Sequence, residues 1–459
     1  MVRQRVAGGA FVVNPRLRAV DRQRGDESRA REIRLLEVVP GAAGVAAVLA
    51  ALPGALAGVG PTLGIAPAGE EPYAVRARAA VLGHDVTGGR DVTGGRDVAD
   101  GRDIADGRDR TEGVVAAEGA IRHERRVDAE VAVVLATSGS TGRPRGVLLP
   151  GSALLASAHA AYEHLGGPGA WLLALPVTGI GGLQVLVRSL VAQVEPVVLG
   201  SVGGASSFDP REFAAATWRL DPSLPAYTSL VPTQAARLLE DPDGLAALRG
   251  YEAVLLGGAR TPPALLARLL EEHVVAITAY GMTETSGGMV YDGVTLPGVT
   301  AAVVDADASG VGRIVLGGPT IARGYLGDPD ATAAAFVDGR LLTGDLGRMH
   351  GADLEVLGRL DDVVQVGGVN VALTAVEDVL REVCADACVL AAPDETWGAR
   401  LTAYVVDARD SDEALAALVE HELGRVAVPR TWTHLDAIPH LATGKPDRQS
   451  LAARALKGP

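Results

Sequence analysis

Thr137-Ser-Gly-Ser-Thr-Gly-Arg-Pro-Arg-Gly146 follows the apolar run Val131-Ala-Val-Val-Leu-Ala136. The run has the length and unbroken apolarity of a buried strand. In the segment after it, Gly139, Gly142 and Gly146 let backbone N–H groups turn toward a ligand. Thr137, Ser138, Ser140 and Thr141 add hydroxyls, and Arg143 and Arg145 add positive charge. Those are the ingredients of a polyphosphate cradle. Taken alone, the segment reads equally well as a flexible polar loop. It is not a Walker A loop, because no Gly-Lys-Ser/Thr follows at the required spacing.

A second feature lies far downstream. Of 42 basic residues only two are lysine, Lys445 and Lys457. Lys445 sits in Thr443-Gly-Lys-Pro-Asp-Arg448. A guanidinium is a wide planar fork and an ammonium a compact point charge, so a lysine kept in an arginine-biased chain stands out. By itself it would be an ordinary surface residue.

The chain has 459 residues, 48% hydrophobic and 21% charged, the composition of a soluble globular protein of two or three domains. A net charge of −14 without a basic stripe excludes nucleic acid as a partner. Two cysteines, Cys384 and Cys388, form no zinc pattern or disulfide framework, and their spacing reads as two buried small residues at a helix end. A reducing, cytoplasmic setting fits this. No structural metal is expected. Residues 41–60 are uncharged but rich in Ala and Gly around Pro53, and read as a small-residue helix and loop rather than a membrane span. The arginine-rich start lacks an apolar core and cleavage site, so no signal peptide is expected.

Along the chain, residues 1–34 read as a polar tail. Residues 85–110 repeat a hexapeptide, Asp-Val-Thr-Gly-Gly-Arg and variants, with one apolar residue in six. The period is not that of a calcium-binding β-roll, and the segment reads as a disordered linker. From 131 to about 345, apolar strands (Trp171–Leu175, Pro196–Leu199, Glu252–Leu256, Val274–Ala279) alternate with helical stretches. One helix is expected after Ser152 as cap, ending at Gly166, and another is opened by Thr261-Pro262-Pro263. This predicts a layered α/β domain with parallel strands, residues 35–357. It includes a small β subdomain of short strands at Ala301–Val304, Arg313–Leu316 and Leu354–Leu357. Past Gly358, strands at Val363–Val366, Cys388–Ala391, Leu401–Val406 and Arg430–Leu435 join a helix with a capping box, Thr374-Ala-Val-Glu377, and another near Ser411–Leu423. Residues 358–459 are thus an α+β C-terminal lid domain.

Thr137–Gly146, Leu255-Leu-Gly-Gly-Ala259, Tyr280-Gly-Met-Thr-Glu284, Thr343-Gly-Asp345, Gly358-Arg-Leu-Asp-Asp362 and Gly444-Lys445 occur in that order. Together they resemble the adenylate-forming superfamily of acyl- and aryl-CoA ligases, over roughly residues 130–450. The resemblance implies ATP and Mg²⁺ as cofactors and coenzyme A as co-substrate. It implies that Thr137, Ser138, Gly139, Ser140, Thr141, Gly142 and Arg145 hold the nucleotide phosphates. Thr141 would lie near the metal and Glu284 would ligate it, a hard cation preferring oxygen. Gly257, Gly258, Ala259 and Tyr280 resemble the wall of the adenine and acyl pocket, and Gly281 and Thr283 are further expected nucleotide-binding residues. Asp345 resembles the acid that accepts both ribose hydroxyls, and Arg359 a second ribose contact. Lys445 resembles the lysine that bridges carboxylate and α-phosphate as charge develops there. Asp361 falls at the hinge about which a mobile lid would turn between half-reactions, and Gly367-Gly368 at the loop that would approach the pantetheine.

Three further strings narrow the resemblance. They are Trp171-Leu-Leu-Ala-Leu-Pro176 with Gly182-Leu-Gln-Val-Leu-Val-Arg-Ser189, Thr228-Ser-Leu-Val-Pro-Thr-Gln234, and Tyr280–Gly293. They are similar to the o-succinylbenzoate–CoA ligases of menaquinone biosynthesis, whose substrate carries one carboxylate to activate and another to recognise. Arg188, Thr228, Ser229 and Gly281 are the expected recognition residues, with Arg188 reading equally well as a helix cap. The chain departs from that pattern with Arg145 for a usual lysine, Thr178-Gly179 where related ligases often carry histidine, and Asn370 for a basic residue. The alternatives are a CoA ligase for another aryl or acyl acid of secondary metabolism, a stand-alone enzyme loading a carrier protein, and a non-catalytic nucleotide-binding relative. Intact Glu284, Asp345 and Lys445 argue against the last. The oligomeric state, a homodimer included, is left open by the sequence.

Overall fold

The computed structural model describes residues 30–69, 72–82, 126–137, 144–204, 206–360, 362–394, 396–439 and 446–455. Val131–Ala136 forms a strand buried along its whole length. Thr62–Pro67 lies parallel to it (Gly64 opposite Val134), Arg31–Val38 parallel to that, and Gly146–Pro150 antiparallel on the other side (Val134 opposite Leu148). Gly324–Tyr325 and Arg126–Val127 close the two edges of this six-stranded sheet. A strand covered on both faces reads as a continuous apolar run, which is why this one was legible. Residues 31–34, expected in a polar tail, are instead the first half of an edge-proximal strand. The Arg31 guanidinium fastens that strand down, donating to the carbonyls of Gly60 (2.8 Å), Ala129 (3.1 Å) and Val131 (3.2 Å).

A seven-stranded sheet packs behind the first. Its parallel part runs Ala276–Met282, Ala253–Leu256, Ala226–Leu230, Ala170–Leu173, Val197–Val198, with Gly287–Tyr291 and Val294–Thr295 antiparallel at the other edge. The helix Gly151–Leu165 packs on strands of both sheets, so one core serves both. Ser152 does not cap this helix. Pro150 holds the cap position with no side-chain hydrogen bond, and Ser152 is exposed. Gly151 is required at the first turn, because a Cβ there would lie 2.9 Å from Leu56 O. Gly166, at φ 92°, ends the helix as expected. The helix Ala42–Leu56 continues through Pro53, and no helix among the described residues is long and apolar enough to cross a membrane.

The strands Thr300–Val304, Gly312–Gly317, Arg340–His350, Phe336–Val337 and Asp353–Arg359 form a separate small sheet. The smaller C-terminal domain has its own core around Val376, Leu380, Val389, Leu401, Val405 and Leu415. There, Asp386–Asp394 and Gly398–Val406 are antiparallel and Thr431–Leu435 adds in parallel. Ser411 caps Asp412–Leu423 through Ala414 N. The expected capping box at 374–377 is absent: Ala372 is the cap of the helix Leu373–Arg381, and Glu377 is buried among tertiary partners. Of the cysteines, Cys384 follows that helix but Cys388 lies in a strand. Both are free and buried, and burial pushes the Cys388 thiol up to about 12. The hexapeptide repeat lies outside the described residues.

Candidate active site

The glycine-rich segment joins two antiparallel strands, so its ends are pinned. Thr137 N donates to Arg145 O (2.9 Å), and Arg145 N donates to Thr137 Oγ1 (3.1 Å). Ser138, Gly139, Ser140, Thr141 and Gly142 lie outside the described residues. At the base of the segment, Arg145 stacks over the Tyr325 ring at 5.3 Å and pairs with Asp328 at 3.4 Å. Tyr325 donates its hydroxyl to Glu284 Oε1 at 3.0 Å. Burial, and then the charge on Glu284, hold the Tyr325 hydroxyl well above its ordinary pKa, so it stays a donor.

Glu284 sits on a short 3₁₀ turn, Thr283–Thr285, after the strand Ala276–Met282. The turn is held by Thr285 Oγ1, which accepts from Met282 N (2.9 Å) and donates to Gly287 O (2.6 Å). Gln184, fully buried, donates to Ser286 O (2.7 Å) and Leu154 O (3.1 Å), tying the turn to the core. Gly281 is obligatory here, since a Cβ would meet Gly287 O at 2.1 Å.

Tyr280, on the same segment, donates to Asp345 Oδ2 at 2.8 Å. Asp345 is cross-strand from Arg359, and Oδ1 lies 3.7 Å from Arg359 Nη1. Burial and then the Asp345 charge raise the Tyr280 hydroxyl far above its usual pKa. The loop Gly257–Arg260 leaves the carboxyl end of the parallel strand Ala253–Leu256. Leu256 pairs with Thr278, which brings Gly257 and Gly258 level with Ala279 and Tyr280. Gly258 has φ 81°, the left-handed region suited to glycine. The carboxyl edge of a parallel sheet is where open α/β folds take ligands. Glu284, Tyr280, Asp345, Arg359 and the Gly257 loop are therefore gathered there. Gly281 and Thr283 support the backbone between them.

Two of the expected recognition residues, Arg188 and Thr228, are buried. Arg188 is 3% exposed, with its guanidinium over the Trp171 ring at 4.8 Å and donating to Tyr291 Oη at 3.2 Å. Thr228 is fully buried and donates to Leu172 O at 3.1 Å. The helix Ile180–Ala192 turns Arg188 inward, where its Nε has no hydrogen-bond partner, and Thr228 lies on an interior strand of its sheet. Ser229 is also buried, on the opposite face of the strand from Thr228. Gly367 and Gly368, at φ 58° and 82°, form the two-residue turn between Val363–Val366 and Val369–Ala372. Asp361 and Lys445 lie outside the described residues. Arg260 pairs with Asp378 at 2.5 Å, joining the Gly257 loop to the smaller domain. Tyr325 and Gln184 were missed in sequence; a tyrosine after a Gly and a glutamine in an apolar helix carry no local signal of their partners.

The AMP-binding enzyme model matches residues 73–326, and the AMP-binding enzyme C-terminal domain matches 375–445. A probable 2-succinylbenzoate–CoA ligase of Mycobacterium tuberculosis is 41% identical, over 72% of this chain and 86% of that protein. The o-succinylbenzoate CoA synthetase of Bacillus subtilis, solved with its acyl-adenylate intermediate, superposes with a TM-score of 0.62 at 28% identity, covering 70% of this chain and 69% of that one. An amide bond synthetase of Marinactinospora thermotolerans superposes with a TM-score of 0.68 at 25% identity, over 95% of this chain and 92% of that one. The chain thus belongs to the AMP-binding enzymes, the adenylate-forming family, and carries both the large domain and the smaller C-terminal domain of that family.

Proposed function

We propose that this chain joins 2-succinylbenzoate to coenzyme A in two steps, as a cytoplasmic ligase of menaquinone biosynthesis. The acid's carboxylate attacks the α-phosphorus of ATP, forming acyl-adenylate and releasing pyrophosphate. The coenzyme A thiol then attacks the acyl carbon, forming the thioester and releasing AMP. The observation that carries the reaction class is the pair of hydrogen-bonded sets on one segment, Tyr280–Asp345 and Glu284–Tyr325, the second resting on the base of the glycine-rich loop. The similarity to 2-succinylbenzoate–CoA ligases over most of their length supports the substrate.

In this reading Asp345 takes the ribose hydroxyls. Its two oxygens offer about four acceptor positions, and Tyr280 occupies one of them. Arg359 sets the carboxylate plane from across the strand pair. The Gly257–Ala259 loop faces the base. Glu284 supplies an oxygen to Mg²⁺, with Thr141. Among the described residues no group of three His, Cys, Asp or Glu side chains is placed to hold a metal ion by itself. One carboxylate plus nucleotide phosphates is the donor set Mg²⁺ commonly accepts, so the residues fit the ion. When bound, it neutralises phosphate charge. Tyr325 holds the Glu284 carboxylate toward the loop, and Arg145 adds a fixed cation at its base. Lys445 meets the acid and α-phosphate, and Gly367-Gly368 approaches the pantetheine after the lid turns.

Pyrophosphate release measured across a panel of acids, with and without coenzyme A, tests this reading. Release with 2-succinylbenzoate, and a thioester product when coenzyme A is added, is expected. Turnover of another acid with none for 2-succinylbenzoate refutes the substrate. An amide product from an added amine, with coenzyme A inert, refutes the acceptor.

A further inference from the structure

The smaller domain holds a buried carboxylate that the proposed chemistry does not use. Glu377 is 3% exposed. Its Oε1 accepts from Val389 N (2.8 Å) and from Arg448 Nη2 (2.8 Å), and its Oε2 from Arg381 Nη2 (3.3 Å). Arg448 also donates through Nη1 to Val389 O at 2.6 Å, and its Nη2 lies 3.9 Å from Asp362 Oδ2. One guanidinium therefore touches the helix Leu373–Arg381, the strand Asp386–Asp394 and the segment that enters the domain. A planar fork can make these contacts in several directions at once, and an ammonium cannot.

Arg448 is three positions after Lys445. It opens the helix Arg448–Ala455, whose Leu451 is fully buried against Cys388, Tyr404 and Ile438. Asp447 N donates to Pro439 O at 2.7 Å, bringing the two chain ends of the intervening segment together. The chain leading to and from the lysine is thus fastened to the core of the smaller domain at both ends.

We propose that Arg448 and Glu377 are positioning residues for Lys445. The clamp fixes Arg448, three positions past the lysine, to the core of the domain, and loosening it is expected to misplace the lysine in the first step. The inference rests on the two-step reading above and deepens it. It has a distinctive consequence: both half-reactions need a folded smaller domain, but only adenylation needs the lysine. A clamp that merely stabilised the domain would affect both steps alike.

The test uses the full chain and measures the two steps separately. Acid-dependent pyrophosphate release reads the first; thioester formation from chemically prepared acyl-adenylate and coenzyme A reads the second. For Arg448→Lys, kcat of the first step is expected to fall about 10- to 100-fold, the range for a reacting group misplaced by about 1 Å. KM for ATP and the second step should stay within about 3-fold of wild type. Glu377→Gln keeps the shape and an acceptor for Val389 N, and is expected to show the same split with a smaller loss. It serves also where Arg448→Lys does not fold. Equal losses in both steps, or no loss in either, overturn the clamp. A wild-type chain silent in both steps overturns the two-step reading and the clamp with it.

Discussion

Replacing Asp345 by asparagine separates the ribose role from a structural one. The side chain is only 12% exposed, accepts from Tyr280 at 2.8 Å and faces Arg359 at 3.7 Å. Asparagine preserves the volume and can still accept from Tyr280, so the fold should survive. Arg359 is 40% exposed and remains solvated without its counter-charge, so stability should change by less than about 1 kcal/mol. The nucleotide loses more. One carboxylate oxygen becomes a donor, and a charge-assisted hydrogen bond to a ribose hydroxyl, about 1.5–3 kcal/mol, is lost. At about 1.36 kcal/mol per tenfold, that is roughly a 10- to 150-fold rise in KM for ATP. Acid-dependent pyrophosphate release with ATP varied measures it. A cycle with 2′-deoxy-ATP sharpens the test, because the variant should lose little beyond what the deoxy substrate has already lost. A KM within about 3-fold of wild type, or strictly additive losses, refutes the assignment.

Other substitutions probe the rest of the molecule. Glu284→Gln should move the Mg²⁺ concentration for half-maximal pyrophosphate release upward by about tenfold or more, and an unchanged Mg²⁺ titration refutes the metal role. Arg188→Met should destabilise the protein by about 2–4 kcal/mol in denaturant melts, with KM for the acid in the folded fraction unchanged; a selective rise in that KM restores Arg188 as a recognition residue. Cys388, with its thiol pushed up to about 12, should resist thiol reagents at pH 8 until the protein unfolds. The same shift makes the folded state hold a proton the unfolded chain releases near pH 8.5. Stability should therefore fall as pH rises above that value, by up to about 1.4 kcal/mol per unit, and Cys388→Val should flatten the slope measured by urea melts.

What was legible in the sequence followed from local pattern. Val131–Ala136 is apolar throughout because both faces are covered, and its bounds match the structure. The motifs from Gly257 to Asp345 were read as a wall and an acid, and the fold brings them to one sheet edge. Local pattern failed where a partner is remote. Thr374-Ala-Val-Glu377 has the spacing of a capping box, but Glu377 bonds to Val389 and Arg448, 12 and 71 positions away. Ser152 looked like a cap, but the tight approach of Gly151 to Leu56 sets the helix start. Arg188 was read as a donor for substrate because the resemblance implies a second carboxylate to be recognised. Its Nη2 meets the Tyr291 hydroxyl and its plane the face of Trp171, while its buried Nε has no hydrogen-bond partner. Tyr325 is 41 positions from Glu284, and nothing near either residue announces the bond.

The Arg31 rivet bears on how this gene can change. It fixes the first strand to the Gly60 and Val131 carbonyls, and Arg126–Val127 pairs onto that strand. The chain departs after Leu82, just past the helix Pro72–Val81, and returns at Arg126 on the edge of the sheet. Closing a loop costs free energy only as the logarithm of its length, roughly 0.6 kcal/mol per doubling. The pairing of Arg31 with Val127 should therefore tolerate a change in the number of hexapeptide copies between Leu82 and Arg126 at a cost below about 1 kcal/mol.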